Sequence, residues 1–442
     1  MNELRAMETL FDELFPIMRS ITGEGVRQTI SILDQYLPLE LERIASGAEV
    51  FDWTVPKEWV IREAWIKDEK GNKIIDMQDL NLHVVNYSEP IDAWLSLEEL
   101  RKNIHTLPNL PDAVPYVISY YKERWGFCMS YNQLTNLAEG QYHVYIDSEK
   151  IDGELNYAQT ILKGKSEKEV LISTYICHPS MANNELSGPI VSTFLYNRLK
   201  DWKDREYTYR FVFVPETIGS LVFLHQYGEQ LQKNLYSGAV LTCLGGKGYP
   251  LSYKMSRNNH APLNEVMSYL VNNEKRENYT LREFSPLGGS DERQYNSPGF
   301  NLPIGQFSKM IYGQYDGYHN SLDTKEAMTI EALQESLDEI EAILKIQELN
   351  AYYINLKPYG EPQLGKYGLY PDMNAPTTKD ASSNKTLDGR QQLNQILMLL
   401  NYSDGQHNLI DIARKQSYNI EDYKHSISKL VANQILIRGE NQ

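Results

Sequence analysis

Four short segments of the chain concentrate the residue types that grip cations or move protons. Cys177-His178-Pro179-Ser180 runs through Met181-Ala182 into Asn183-Asn184-Glu185-Leu186-Ser187-Gly188, and Pro215-Glu216-Thr217-Ile218-Gly219-Ser220 follows. Beyond these come Gly288-Gly289-Ser290-Asp291-Glu292-Arg293 and Tyr315-Asp316-Gly317-Tyr318-His319-Asn320-Ser321-Leu322-Asp323-Thr324. A histidine followed by amide and carboxylate groups at a helix entrance offers imidazole and hard oxygen ligands of the kind zinc accepts. The same segment also reads as a helix cap supplied by Ser187 or Asn184. An acid directly after a buried strand is costly unless paired or metal-bound, so Glu216 is a ligand or a general base, with a capping glutamate as the plainer alternative. His319 offers a neutral imidazole, and Asp323 is placed to brace its loop, although a surface histidine in a polar loop has the same appearance. Gly288 and Gly289 admit close approach of a ligand, and Asp291 either orients a histidine or binds a substrate amine, unless the stretch is an ordinary turn. The chemistry these residue types share is metal-assisted hydrolysis, in which a bound cation acidifies water and polarises a carbonyl.

The elements that must position these loops are legible in the hydrophobic pattern. Apolar runs Val170–Ile176, Phe211–Val214, Ala239–Leu244 and Leu302–Phe307 read as buried strands. Helical patterns follow at Pro189–Trp202, Ser220–Leu231, Ala261–Asn273 and Thr329–Leu349. This alternation predicts an α/β fold, a mostly parallel sheet flanked by helices, with ligands beyond the carboxyl ends of the strands. Most of the candidate residues stand just after one of those runs. Upstream, two helices are expected at Glu3–Arg19 and Gly25–Tyr36, broken by Thr22-Gly23-Glu24-Gly25. Period-two patterns at Trp59–Ile66 and Asn81–Val85, with a turn at Lys70-Gly71-Asn72-Lys73, predict a small inserted α+β unit. After Leu356 a Pro-, Ser-, Thr- and Asn-rich linker from Tyr370 to Thr386 leads to the order helix, helix, helix, strand, over Arg390–Leu400, Leu409–Arg414, Ile420–Leu430 and Gln434–Arg438. That order resembles a winged helix.

With 442 residues the chain exceeds a single core, and 41% hydrophobic residues with 23% charged describe a globular protein. A formal net charge of −16, and ten Lys and Arg against nine Asp and Glu after Leu356, argue against a dedicated nucleic-acid binder. A protein contact or homo-oligomer through the C-terminal segment is the expected use of that module. Three widely spaced cysteines, Cys128, Cys177 and Cys243, without a CxxC pair suit a reducing cytoplasm. Acids interrupt the apolar positions of the first twenty residues, so no signal-peptide core is expected there, and no run approaches a membrane span.

The succession His-Pro-Ser, Asn-x-x-Ser-Gly, Glu with Gly-Ser behind it, Ser-Asp and Tyr-His-Asn-Ser-x-Asp-Thr resembles the co-catalytic zinc aminopeptidase family over about Glu154 to Leu349. Over nearly the whole chain the sequence resembles a bacterial subgroup of it that carries an inserted α+β domain and a C-terminal winged helix. The resemblance implies that His178 corresponds to the first-metal histidine, Asn184 to the bridging aspartate and Glu216 to the position of a glutamate pair. It further aligns Cys243 with a terminal aspartate and His319 with the second-metal histidine. Asn184 and Cys243 depart from that pattern, and Pro215 stands where the first of two glutamates is expected. Fewer anionic ligands compensate less charge, so one zinc is expected in preference to two, with Glu185 available to replace a lost charge.

The expected organisation is a metallopeptidase-like α/β domain from residues 1–45 and 141–356, an inserted domain at 46–140 and a winged-helix-like domain at 357–442. The expected activity is zinc-dependent hydrolysis of a peptide or other amide bond, with small non-peptide and sugar-linked substrates among those that fit. His178, Asn184, Glu216 and His319 are the expected ligands, Glu216 or Glu185 the proton carrier, and Asp291 the residue that positions substrate. Tyr116, Tyr120, Tyr121 and Trp125 are expected to roof the cleft or to join the core. A degenerate enzyme core that binds a ligand and regulates is the rival expectation.

Overall fold

The computed structural model describes residues 2–439 apart from 312, 371–377, 380–385, 388 and 417. Helix α1 (Glu3–Leu14) begins at an Asn2 cap and buries Met7, Leu10, Phe11 and Leu14 on one face. It stops short of the Arg19 expected from its pattern, because Pro16 has no N–H with which to continue the helical ladder. This early stop matters for the site: Arg19, freed from the helix, is completely buried. Helix α2 (Glu24–Leu33) starts after Gly23, whose φ of 102° and approach to Trp59 leave no room for a Cβ.

Strand β1 (Glu40–Ala45) precedes a four-stranded antiparallel sheet made by β2 (Glu58–Asp68), β3 (Lys73–Asp76), β4 (Ile91–Ser96) and β5 (Gln141–Ile151), in the order β3-β2-β5-β4. The boundary expected at residue 140 therefore moves, since β5 pairs with both β2 and β4 and closes the inserted sheet. Asn81–Val85 is also corrected: Asn81–His83 forms a 3-10 turn with Leu82 and His83 buried. Short apolar runs do not distinguish a strand from a buried turn.

The remaining strands of the first unit are β6 (Glu154–Leu162), β7 (Glu169–Tyr175), β8 (Thr208–Val214), β9 (Leu235–Leu241), β10 (Leu251–Lys254), β11 (Tyr279–Arg282) and β12 (Ile304–Ser308). With β1 they form an eight-stranded sheet in the order β1-β6-β8-β7-β9-β12-β10-β11. The four central strands β8, β7, β9 and β12 run parallel, whereas β1–β6, β6–β8 and β12–β10 pair antiparallel. The sheet is thus mixed, with its parallel part where the chemistry-bearing loops leave it. Both β7 and β8 are buried along their whole length, which explains their continuous apolar character. Helices α3 (Ser187–Lys200), α4 (Ile218–Asn234), α5 (Pro262–Asn272) and α6 (Ile330–Leu349) match the expected patterns within a few residues.

At the start of α3, a Cβ on Gly188 would lie 2.2 Å from Thr174 Oγ1 and 2.4 Å from the Leu241 carbonyl oxygen. Gly188→Ala should therefore push α3 off β7 and β9 and cost roughly 1–3 kcal/mol. A guanidinium chloride titration checks this: the midpoint should fall while the slope stays that of the parent.

Two compact units are formed, Met1–Asn264 with Asn278–Glu339, and Glu265–Glu277 with Ile340–Gln442. In the second, β13 (Tyr352–Asn355), α7 (Gly389–Tyr402), β14 (Asp404–Asn408), α8 (Leu409–Arg414), α9 (Lys424–Ala432) and β15 (Leu436–Arg438) build helices on a three-stranded antiparallel sheet, β14-β13-β15. Asn408 starts α8 through a capping box with Asp411. The expected boundary at 357 is too late, because β13 is the central strand of this sheet. The linker expected from Tyr370 to Thr386 lies largely outside the described residues.

Candidate metal centre

Parallel neighbours end on the same edge of a sheet, so the loops after β7, β8 and β9 bring His178, Glu216 and Cys243 to one side. The loop after β12 returns His319 to them and is tied down at several points. Tyr116 N donates to the His319 carbonyl at 2.8 Å, and the Ser321 hydroxyl accepts from Val114 N at 2.9 Å. Asp323 accepts from the backbone N–H groups of Asn183 and Asn184 at 2.8 and 2.9 Å. Asp323 thus braces one loop against another, and burial pushes its carboxyl up to about 6 against those two bonds. Asn183, Asn184 and Glu185 lie in a π-helical turn, Ala182–Leu186, that runs into α3 without a side-chain cap from Ser187 or Asn184. Ser180, Thr217, Cys243 and His319 all have φ between 48° and 64°. Non-glycine residues in that region cost about 1–3 kcal/mol each and gather at functional sites.

His178 Nδ1 donates to Glu185 Oε2 at 2.8 Å, and its Nε2 lies 3.6 Å from Glu216 Oε2. Behind Glu185 stands Arg19, whose Nε is 3.7 Å from Oε1 and donates to the His178 carbonyl at 2.9 Å. Burial opposes charge on His178, but Cys177 and Glu185 outweigh it and hold its pKa well above the usual histidine range. Burial, helped by His178, pushes His319 down to about 3, which leaves its ring neutral. The two imidazole rings are 5.4 Å apart between centres. The Glu216 carboxylate is fixed through Oε1, which accepts from the Ser290 hydroxyl at 2.6 Å.

A cavity of about 310 Å³ opens on these groups, lined by His178, Glu216 and His319 and walled by Trp53, Tyr116, Tyr120 and Tyr121. Trp125 packs instead against the hydrophobic core. A second cavity of about 400 Å³ also reaches Glu216 and is lined by Asn184, Cys243, Lys254 and Arg282. Asn184 Nδ2 donates to Cys243 Sγ at 3.8 Å, and Asn184 Oδ1 is buried without a hydrogen-bond partner among the described residues. Burial pushes the Cys243 thiol up to about 12. The expected ligands therefore divide: His178, Glu216 and His319 face the aromatic cavity, while Asn184 shares the second cavity with Cys243.

Two expected roles are corrected. Glu185 is fully buried, bonds the Nδ1 side of His178 and lines neither cavity, so its place is that of a brace for the ring. Asp291 is equally buried and lines neither cavity; it accepts from Thr217 N at 2.7 Å and Ser220 Oγ at 3.0 Å, which holds the backbone beside Glu216. Burial, then the charge of Glu216, pushes Asp291 up to about 8. Arg19 was not among the expected residues. The apolar neighbours Ile17, Met18 and Ile21 are the signal of burial that could have found it.

The donor set suits a single zinc. Two imidazoles sharing one tetrahedral zinc, at ~2.0–2.1 Å per nitrogen, hold their ring centres roughly 5 Å apart, close to the His178–His319 spacing. The carboxylate of Glu216 is adjacent. Cys177 and Glu185 also approach His178, all three ligand atoms lying within 4.8 Å of one another. That face of the ring is already committed, because Cys177 Sγ accepts from Glu216 N at 3.2 Å and Glu185 faces Arg19.

Sheet, loops and donor set together define an aminopeptidase-like protein with a C-terminal winged helix. The chain belongs to the family described as Domain of unknown function (DUF4910), which matches residues 8–350, and residues 351–438 match a winged helix-turn-helix family. A Clostridium acetobutylicum protein named for polysaccharide biosynthesis and an aminopeptidase-like domain is 40% identical over 427 residues, 97% of this chain and 95% of its own. A crystal structure from C. acetobutylicum, described as a peptidase, has a TM-score of 0.88 at 38% identity and covers 99% of this chain and 98% of that one. A zinc aminopeptidase from Bacillus subtilis shares the fold at 12% identity, with a TM-score of 0.54 over 76% of this chain and 94% of its own. No helix among the described residues is long and apolar enough to cross a membrane.

Proposed function

We propose that this protein is a zinc-dependent hydrolase of an amide bond, acting on a small substrate such as an N-acyl or amino-linked group on a sugar. The observation that carries the reading is the meeting of His178 Nε2, the Glu216 carboxylate and the His319 ring on one aromatic-walled cavity. These three side chains would hold one zinc, which when bound supplies a Lewis acid and an acidified water. His178 commits its Nδ1 hydrogen to Glu185, which fixes the tautomer and leaves Nε2 as the donor. Among the described residues Glu216 is the one carboxylate on the aromatic cavity, and with Oε1 held by Ser290 its Oε2, 3.6 Å from His178 Nε2, is the oxygen that would reach the zinc. A cavity of about 310 Å³ suits a small molecule, and the faces of Tyr116 and Tyr120 suit the apolar side of a sugar ring. The name of the C. acetobutylicum relative supports a carbohydrate context.

The Asn184–Cys243 pair favours a second reading. Where the resembled enzymes place two aspartates, this chain has a neutral amide and a thiol in mutual contact. A ligand-binding or regulatory protein that has lost catalysis would carry such a pair. One experiment separates the two. Purified protein should hold about one zinc per chain, hydrolyse at least one member of a panel of N-acylated amino sugars and amino-acid amides, and lose this activity on chelation and regain it with zinc. Glu216→Gln should weaken zinc binding by about 10-fold or more and lower zinc-dependent turnover with it, without changing the melting temperature of the metal-free protein. Protein without stoichiometric zinc and without zinc-dependent turnover belongs to the second reading.

The near-balance of charge after Leu356 supports a protein contact or self-association for the winged helix, and three free, buried cysteines support a cytoplasmic setting.

A further inference from the structure

Arg282 closes β11 and lines the second cavity, beside Asn184 and Glu216. Three neutral acceptors hold its guanidinium: Ser252 Oγ takes a hydrogen bond from Nε at 2.7 Å, and Gln306 Oε1 and Ser308 Oγ take two from Nη2 at 3.1 and 2.8 Å. Nη1 has no partner among the described residues, and no carboxylate among them stands within ion-pair distance of the group. Glu292, the acid whose charge Arg282 feels most, is engaged by Lys254 Nζ at 2.8 Å and by Ser290 N at 2.9 Å. Glu283, the other carboxylate on this cavity besides Glu216, is exposed and bonds neither cation. Burial lowers the pKa of Arg282, against the opposing charge of Glu292.

A largely buried charge is costly when unpaired, and here neutral groups spend three of the five donors on orientation while Nη1 is left without a partner on a residue that lines a cavity. Had the sequence needed only to tie β11 to its neighbours, an amide side chain could make such bonds without the charge. We infer that Arg282 is an anion-binding residue, which receives a carboxylate or phosphate on the far end of the substrate whose reacting bond lies at Glu216. A guanidinium presents planar N–H donors that match both groups, and its fixed orientation lowers the entropy lost on binding. The inference rests on the proposed site, because Glu216 is the residue common to both cavities. It adds a chemical class: the substrate is acidic.

Calorimetric titration of the full chain with D-glucuronate, α-D-glucose 1-phosphate and neutral methyl α-D-glucoside tests it, in zinc-loaded and in chelator-treated protein. At least one anionic probe should bind about tenfold or more tightly than the neutral one, and the stronger of the two identifies carboxylate or phosphate. Arg282→Gln should erase that preference, a loss of roughly 10–100-fold for a charge-assisted hydrogen bond. The preference should survive chelation, so failure of the zinc reading leaves this measurement intact. Equal binding of the three probes, or a preference that Arg282→Gln keeps, overturns the proposal. Should that variant not fold, protection of Arg282 from phenylglyoxal by the same probes, mapped by mass spectrometry, replaces it, and absence of protection overturns the proposal equally.

Discussion

His178→Ala protein should bind zinc more than roughly 100-fold more weakly than its parent, and His319→Ala should behave alike, because each would remove a direct ligand from the proposed set of three. Removing a partner that only orients a ligand typically costs ~10–100-fold, so Glu185→Gln should fall in that lower range. The amide oxygen introduced by this substitution can still accept from His178 Nδ1, but it no longer strengthens the ring as a donor or balances Arg19. A competition titration against a chromogenic chelator reads all three affinities in one series. The order expected is parent, then Glu185→Gln, then the two alanine variants. Alanine variants that retain parental affinity would remove His178 and His319 from the centre altogether.

A loss of about 3–5 kcal/mol in folding stability is expected for Arg19→Leu, the range seen when one partner of a buried ion pair is deleted. Arg19 and Glu185 have fully buried side chains, and the guanidinium also ties the Leu14 and His178 carbonyls together at 2.6 and 2.9 Å. Leucine removes the charge and both bonds while filling part of the volume. The pH dependence has a defined sign. Burial already raises the Glu185 pKa above its ordinary value, while His178 and Arg19 pull it down. Without Arg19 the folded-state value rises further, so above it the folded chain carries a charge that the unfolded chain solvates more cheaply. As pH falls through that value, the proton is taken up preferentially in the folded state and part of the penalty disappears. Urea titrations at pH 7.5 and 5.5 should therefore show a larger gap between parent and variant at the higher pH. A gap of under about 1 kcal/mol at pH 7.5 would mean that Glu185 is neutral in the parent.

How much of this was legible before the fold depended on the range of the interactions. Strand runs such as Val170–Ile176 and Phe211–Val214 carry their burial in their own composition, since a strand covered on both faces must be apolar throughout. The alternation of those runs with helical patterns implies parallel neighbours, and parallel neighbours end on one edge, so His178 and Glu216 were legible as residues that meet. The inserted sheet was harder to delimit. Nothing local in Gln141–Ile151 says that its partners are Glu58–Asp68 and Ile91–Ser96 and not the strands that follow it.

The residues on which the site leans most heavily became visible only when distant segments closed around them. Composition and periodicity determined an α/β core, an appended winged helix and a set of loops able to bind a cation, because those properties depend on near neighbours. That Glu185 and Asp291 are buried away from both cavities, one on His178 and the other on Thr217, is visible only in the assembled fold. Arg19 lies 159 positions from the His178 carbonyl it bonds, and its apolar neighbours Ile17, Met18 and Ile21 do not say which remote groups will meet its charge. Burial of a charge belongs to the assembled packing, in which remote groups supply its partners, and no stretch of chain read alone contains that information.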